Sequence, residues 1–107
     1  MSFKEEVYAL LRTVPAGYVT TYKDVANALG SSAYRAVGQA LRCNPDAPRT
    51  PCHRVVSSDG ALGGFMGDVR GDAIEKKIAL LAREGVLVEN GKVKGFVEKR
   101  FSFTRVS

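Results

Sequence analysis

The first fifteen residues carry apolar side chains at the spacing of one helical face. These positions recur every three or four residues and comprise Phe3, Val7, Leu10, Leu11 and Val14. Ser2 stands at the expected N-cap and Glu5 follows three residues later, which is the capping-box pattern. Pro15 and Gly17 then interrupt the pattern. The segment predicts an amphipathic helix whose apolar face lies in the core.

A short strand and a second helix are predicted next. Residues 18–20 (Tyr-Val-Thr) favour a strand, since aromatic and β-branched side chains predominate there. Thr21 can cap a helix over residues 22–29 that stops at Gly30, because glycine readily takes the left-handed conformation that closes a helix.

A third helical pattern starts directly after this glycine. Ser31 or Ser32 is expected to cap the helix, which extends to about Arg42. Its apolar stripe comprises Tyr34, Val37, Ala40 and Leu41. Two short helices joined by a tight, glycine-containing turn predict a helix-turn-helix.

Prolines and glycines interrupt the middle of the chain. Residues 44–51 contain three prolines, so the chain that reaches Cys52 is stiff and not helical. Val55-Val56 is predicted as a brief strand before a turn over residues 57–60. The glycines that follow, up to Gly71, indicate a loop.

The last third predicts one more long helix. Asp72 with Glu75 repeats the capping-box pattern, and Gly85 marks the helix end, with Glu84 directly before it. The buried face of this helix comprises Ile74, Ile78 and Leu81.

The remaining residues predict a β-hairpin. Residues 86–88 and 92–93 flank an Asn90-Gly91 turn, the strongest short hairpin signal. Three aromatic residues that follow are expected to pack on the domain: Phe96, Phe101 and Phe103. The whole pattern predicts a mainly α fold with small β elements.

Composition indicates an ordinary globular domain. The 107 residues are 45% hydrophobic and 25% charged, so we expect residues 1–107 to form a single domain and a monomer. The N-terminus begins with acidic residues, and no apolar run approaches the roughly 18 residues of a membrane span. We therefore expect a soluble intracellular protein. Two cysteines and one histidine lack a recognised zinc spacing, and intracellular thiols stay reduced, so neither a metal site nor a disulfide is expected.

The formal charge of +5 favours an anionic partner such as nucleic acid. On the third helix Arg35, Gln39 and Arg42 share the face opposite the apolar stripe. This polar face can contact phosphates and base edges, although an ordinary solvated helix face gives the same pattern. Gly38 costs helix stability, so it suggests the close approach of another backbone.

The candidate reactive site is formed by residues 51–55, Pro-Cys-His-Arg-Val. Cys52 adjoins His53, the single histidine of the chain, and a nearby base can populate the nucleophilic thiolate. The alternative is a buried structural thiol beside a structural histidine, which is equally compatible with the dipeptide alone.

Four motifs together resemble the active-site domain of the 6-O-alkylguanine-DNA alkyltransferases. They are the pentapeptide at 51–55, Arg-Ala-Val-Gly at 35–38, Asn-Pro at 44–45 and Leu-Leu-Ala-Arg-Glu-Gly at 80–85. The resemblance covers about two-thirds of the chain. It implies a winged helix-turn-helix-like DNA-binding domain of the alkyltransferase C-terminal type, with the family's N-terminal domain absent.

The resemblance also implies a reaction. Cys52 would accept the alkyl group, His53 would act as its base through a water molecule, and Glu84 would orient and charge His53. Adjacent side chains on an extended backbone point apart, which makes a bridging water reasonable. Tyr22 would help rotate the nucleotide and donate a proton or a hydrogen bond to the guanine ring. No cofactor is implied, and the thioether product means that each molecule acts once.

Double-stranded DNA containing 6-O-alkylguanine is the implied partner, which places the protein in the cytoplasm (nucleoid) of a prokaryote or in a nucleus. Arg35 corresponds to the finger that fills the space of the flipped nucleotide, and Asn44 to the hinge behind the recognition helix. The DNA-binding set implied by the resemblance comprises Arg35, Ala36, Gly38, Gln39, Arg42 and Asn44.

The guanine pocket is where this sequence departs most from the family. It is expected to include Val55, Phe65 and Met66, with Phe65 where tyrosine is common and Met66 where serine or a basic residue often stands. About five residues before the last long helix are additional, and Cys43 replaces the usual glycine.

Two other functions stay open. Small alkyltransferase-like proteins bind alkylated guanine without transfer and mark it for excision repair, but they generally carry tryptophan or alanine instead of the cysteine. A helix-turn-helix regulator would explain the basic face and would leave the pentapeptide and Glu84 unexplained.

Overall fold

Helices form most of the regular structure in the computed structural model, which describes residues 2–47, 49–62, 71–101 and 103. The elements in chain order are α1 (Phe3–Leu11), β1 (Thr20–Thr21), α2 (Tyr22–Ala28), α3 (Tyr34–Arg42), a 3₁₀ turn (Cys52–Arg54), β2 (Val55–Val56), α4 (Asp72–Arg83), β3 (Val88–Glu89), β4 (Lys92–Val93) and α5 (Phe96–Lys99). In the described ranges no helix is long and apolar enough to cross a bilayer.

The capping box of α1 is confirmed. The Ser2 hydroxyl accepts a hydrogen bond from the Glu5 N–H (3.2 Å), and the Glu5 carboxylate accepts one from the Ser2 N–H (3.3 Å). The helix ends at Leu11, earlier than the apolar pattern suggested, because the Thr13 hydroxyl and N–H both donate to the Leu10 carbonyl. Val14 is buried all the same.

The helix-turn-helix is formed by α2 and α3. Thr21 caps α2 as expected, with its hydroxyl accepting from the Asp24 N–H at 3.0 Å. The predicted start of α3 at Ser31 or Ser32 is wrong. Ser31 instead accepts a hydrogen bond from the Ala33 N–H (2.9 Å) and closes the turn, so the helix begins at Tyr34 without a side-chain cap.

The apolar stripe of α3 is narrower than predicted. Val37, Ala40 and Leu41 are buried, whereas Tyr34 is 43% exposed at the first turn of the helix. The reason is the late start of α3, which leaves Tyr34 at the edge of the packed face.

A parallel pair of short strands brings distant parts of the chain together. Thr20 pairs with Val55 and Thr21 with Val56. Because α2 follows β1 directly and the Cys52–Arg54 turn precedes β2 directly, the pairing sets the start of α2 beside this turn.

Both ends of α4 use backbone geometry rather than side-chain caps. Gly71 is the N-cap at φ +79°, so the expected Asp72–Glu75 capping box is wrong; these acids lie in the first turn, where they favour the helix dipole. At the other end Gly85 (φ +83°) donates to the Ala82 carbonyl and Val86 to the Leu81 carbonyl. This is a Schellman motif, and it makes Glu84 the C-cap.

The predicted hairpin is confirmed, with a shorter ladder than expected. Val88 pairs with Val93 and Glu89 with Lys92, and both turn residues, Asn90 and Gly91, have positive φ. The one-turn helix α5 was not predicted, since four residues are too few to show a period.

Two apolar clusters form the core. One lies among α1, α2 and α3 and includes Cys52 and Val55; the other lies between α4, the hairpin and the small parallel sheet. The mainly α fold with small β elements is as predicted. Residues 63–70 of the expected glycine-rich loop lie outside the described residues.

Candidate active site and nucleic-acid interface

Cys52 is a buried thiol at the start of the 3₁₀ turn. Only 4% of the residue is exposed, and it belongs to the first apolar cluster. The expected extended backbone at this point is wrong, because the Arg54 N–H closes the turn onto the Pro51 carbonyl (3.0 Å). Successive side chains of a 3₁₀ helix still diverge by about 120°, so Cys52 and His53 point in different directions.

Burial raises the pKa of the Cys52 thiol. A hydrogen bond from the Asn44 amide and the positive charge of Lys77 act in the opposite direction without cancelling this effect. The thiol therefore holds its proton at neutral pH, and a base must remove that proton for the sulfur to react.

Asn44 ties the end of α3 to the chain that leads into the turn. Its amide nitrogen donates to the Thr50 carbonyl (2.8 Å), and its amide oxygen accepts from the Asp46 N–H (2.9 Å). The Cys52 N–H also donates to the Thr50 carbonyl (2.9 Å). Asn44 thus links the helix to Cys52 through one shared carbonyl.

His53 is also buried, and its two ring nitrogens differ. Nε2 lies 3.0 Å from Glu84 Oε2, whereas Nδ1 is buried and has no hydrogen-bond partner among the residues that the structure describes. Burial lowers the pKa of His53, and the hydrogen bond and charge of Glu84 offset this only in part. The imidazole is neutral at neutral pH and can accept a proton.

Glu84 has a second partner that the sequence analysis missed. Arg54 Nε donates to Glu84 Oε1 (2.9 Å), Nη2 donates to Oε2 (2.6 Å), and Nη1 donates to the Val14 carbonyl (2.7 Å). Burial alone would raise the pKa of Glu84, but hydrogen bonds and charge from Arg54 and His53 outweigh it and leave the pKa lowered. Glu84 is therefore ionised.

Lys77 is a second residue that the sequence analysis missed. It is fully buried in α4, where its ammonium group donates to the Val55 carbonyl at 2.8 Å and also to the Leu62 carbonyl. Burial lowers its pKa to about 8, against an opposing effect of Cys52. Its position was the available signal, since it falls on the apolar face between Ile74 and Leu81.

Two further expected site residues lie near this centre. Tyr22 is the first residue of α2, is half-buried and packs against the cluster that contains Cys52. Val55 is fully buried in β2, where its carbonyl accepts from Lys77. Phe65 and Met66, the rest of the expected guanine pocket, lie outside the described residues.

The expected DNA-binding face of α3 is open to solvent. Arg35, Gln39 and Arg42 are exposed, and Ala36 and Gly38 are partly exposed. Among the described residues outside its own helix, no atom lies within 4 Å of a Cβ built on Gly38, so the expected close approach of another backbone is not made by this part of the protein. The absent side chain leaves free space on the outer surface of the helix.

Comparisons with known proteins agree on one family. The model for the "6-O-methylguanine DNA methyltransferase, DNA binding domain" matches residues 2–86. A methylated-DNA--protein-cysteine methyltransferase of Metallosphaera sedula is 47% identical over 93 residues, which are 87% of this chain and 55% of that protein. One from Pyrobaculum aerophilum is 51% identical over 74 residues, 69% of this chain and 46% of that protein. The chain spans 55% or less of these curated relatives.

Solved structures give the same fold. Mycobacterium tuberculosis OGT in complex with DNA superposes with a TM-score of 0.71 at 38% identity, over 79% of this chain and 49% of that one. Schizosaccharomyces pombe Atl1, in complex with damaged DNA containing O6-carboxymethylguanine, superposes with a TM-score of 0.80 at 28% identity, over 94% of both chains.

Proposed function

Since the chain belongs to the 6-O-methylguanine DNA methyltransferase family, we propose that it binds DNA containing 6-O-alkylguanine and transfers the alkyl group irreversibly to Cys52. One observation carries this proposal. A buried thiol adjoins a buried imidazole whose Nε2 lies 3.0 Å from Glu84 Oε2 and whose Nδ1 has no hydrogen-bond partner among the described residues. This is the arrangement that a protonated thiol needs from a general base.

The proposed reaction is a direct displacement. The sulfur of Cys52 attacks the alkyl carbon, the carbon–oxygen bond to guanine breaks, and its electron pair stays on the base. His53 takes the thiol proton at Nδ1, through a water molecule. Tyr22 donates its hydroxyl proton to the departing guanine and regains one from solvent, so that the net product is a thioether and unmodified guanine. Nothing in this scheme cleaves a thioether, and each molecule reacts once.

The burial of Cys52 requires the damaged nucleotide to leave the base stack. A thiol that is 4% exposed cannot reach an alkyl carbon within a stacked duplex. Flipping costs a few kcal/mol, least for a damaged pair. In this proposal Arg35 fills the vacated space, Gln39 and Arg42 contact the DNA, and Asn44 keeps α3 in register with Cys52.

A non-enzymatic lesion-binding function is the second candidate. The match to Atl1 favours it, since that structure contains damaged DNA with O6-carboxymethylguanine. Cys52, with a base beside it, favours transfer. We therefore place transfer first.

Intact-mass spectrometry after mixing the protein with a duplex containing 6-O-methylguanine separates the two candidates. Transfer predicts a gain of one methyl group per protein, mapped to Cys52 in a peptide digest. Cys52→Ala should gain none, while Cys43→Ala, which removes the exposed thiol, should react like the wild type. Tight lesion binding with unchanged mass would support the second candidate, and absence of both binding and mass change would contradict both.

A further inference from the structure

Arg54 binds both oxygens of the Glu84 carboxylate, one of which also contacts His53. From this geometry we infer that Arg54 is a positioning residue, which aims one Glu84 oxygen at His53 Nε2 and offsets the carboxylate charge there. The inference deepens the proposed function and rests on it, because its effect on the reaction assumes that His53 serves as the base for Cys52. It concerns a contact that the pentapeptide alone does not reveal.

The Arg54 guanidinium group links the Cys52–Arg54 turn to two other parts of the chain. Its Nε and Nη2 donate to both oxygens of Glu84 at the end of α4, and its Nη1 donates to the Val14 carbonyl after α1. The turn after Val14 also abuts the helix end, because a Cβ on Gly17 would lie 3.3 Å from the Glu84 carbonyl oxygen. The side chains of Arg54 and Glu84 are each only 15% exposed, so the pair is largely shielded from water.

The two donors share one oxygen. Glu84 Oε2 lies 3.0 Å from His53 Nε2 and 2.6 Å from Arg54 Nη2, while Oε1 is bonded to Arg54 Nε. A carboxylate held by two parallel bonds from a planar guanidinium group has a fixed orientation. A free glutamate side chain at a helix end would instead sample several rotamers. Arg54 therefore determines where the partner of His53 lies.

The same contact bears on the protonation of His53. Within the described ranges, the ionisable groups that act on the imidazole are Lys77 on α4, Glu84 at the end of that helix and Arg54 on the same turn as His53. Glu84 raises the pKa of His53, whereas Arg54 and Lys77 lower it, in addition to the larger effect of burial. An unopposed Glu84 would favour imidazolium, which cannot accept the thiol proton. Arg54 thus helps to keep His53 neutral, the form that can accept a proton.

The single histidine makes this inference directly testable by NMR. The imidazole resonances of His53 are titrated in the free protein, without DNA, in the wild type, Arg54→Met and Arg54→Lys. We expect His53 to titrate at higher pH in Arg54→Met, because the opposing cation is gone, and at an intermediate pH in Arg54→Lys. Arg12→Met is the matched control, since Arg12 donates to the Thr50 hydroxyl and not to Glu84; it should titrate like the wild type.

The pH profile of methyl transfer gives the second measurement. If His53 must be neutral to act, the acid limb of the profile should move to higher pH in Arg54→Met. The loss of rate relative to wild type should then be about tenfold or more near pH 6 and clearly smaller near pH 8. A purely structural loss would lower the rate by the same factor at both pH values.

The outcomes separate this inference from the proposed function. An unchanged His53 titration in folded Arg54→Met overturns the inference, even if wild-type protein transfers methyl groups. The expected shift in a protein that transfers nothing supports Arg54 as the residue that positions Glu84 and rejects transfer. Should circular dichroism show that Arg54→Met is unfolded, Arg54→Lys decides: titration at the wild-type pH overturns the inference, and a higher pH supports it.

Discussion

Lys77 and Cys52 each alter the proton affinity of the other inside one buried site. The charge of Lys77 favours the thiolate and opposes the effect of burial on Cys52, while Cys52 favours the ammonium form of Lys77. A buried ammonium group is costly unless its protons are bonded, and here two carbonyls accept them. Lys77 therefore couples the stability of the domain to the reactivity of the thiol.

Lys77 predicts a specific dependence of stability on pH. Its folded-state pKa of about 8 lies below its ordinary 10.5, so the unfolded chain binds more protons between these values. The free energy of unfolding should rise across this window, by about 3 kcal/mol in total from this group. Lys77→Met should lack this rise in denaturant titrations at several pH values.

The comparison is best made with Cys52→Ala in both proteins, since Cys52 is itself titratable and its charge acts on Lys77. Equal slopes with and without Lys77 would show that its pKa is not lowered by folding.

Helix α3 has one face packed on the core and one face exposed to solvent. Val37, Ala40 and Leu41 fix it on α1 and α2, and the Tyr8 hydroxyl donates to the Ala40 carbonyl at 2.7 Å. The outer face carries Arg35 and the gap at Gly38. An element built this way can meet a partner without rearranging the core.

Gly38→Ala should have opposite effects on stability and DNA binding. The backbone at this helical position accepts alanine, and the added Cβ meets no described atom within 4 Å outside the helix itself, so thermal unfolding should show stabilisation of about 0.5–1 kcal/mol. If the DNA backbone approaches α3 there, the methyl group should weaken binding in a fluorescence anisotropy assay. Unchanged affinity would indicate that DNA does not approach Gly38.

Gly85→Ala is the matched control for this substitution. It also adds its methyl group to open space, but at φ +83°, so it should destabilise the protein by about 1 kcal/mol.

At the scale of the whole molecule, residues 99–101, which follow the region matched by the family model, bind back to the first quarter of the chain. The Val19 N–H donates to the Lys99 carbonyl (2.9 Å), and the Phe101 N–H donates to the Val19 carbonyl (2.7 Å). Arg100 then makes a bidentate ion pair with Asp24 of α2, at 2.7 and 2.8 Å. The C-terminal segment is thereby joined to the helix that begins with Tyr22.

A double-mutant cycle should detect the ion pair between Arg100 and Asp24. The hydrogen bonds and charge of Arg100 lower the pKa of Asp24, so the pair stabilises the fold above the ordinary pKa of aspartate and the effect is lost as the pH falls below it. Because Arg100 is partly exposed, we expect a coupling of about 1 kcal/mol or less between Asp24→Ala and Arg100→Ala at pH 7.

The matched control pair is Lys94 and Glu89, which are 3.9 Å apart and mostly exposed. Their coupling should be close to zero. Equal coupling in the two pairs would show that the bidentate contact contributes nothing.

Local patterns along the chain were sufficient for most helices, the hairpin and the reactive pentapeptide. The capping box at Ser2, the Thr21 cap and the Asn90-Gly91 turn depend on neighbouring residues only, and the structure contains all three. The Ser31 cap failed because its hydroxyl instead accepts from the Ala33 N–H in the turn, and the Asp72 cap failed because Gly71 occupies the N-cap position.

Only the tertiary structure decided how the site is held. The sequence by itself determined that Cys52 adjoins His53, because the two residues are covalent neighbours. It did not determine that Arg54 shares Glu84 with His53, or that Lys77 is buried beside the thiol, since both depend on α4 packing against the Cys52–Arg54 turn. Burial and ion pairs determine the proton affinities of Cys52, His53 and Lys77. Neither is visible in the sequence, because both depend on contacts between residues that are distant along the chain.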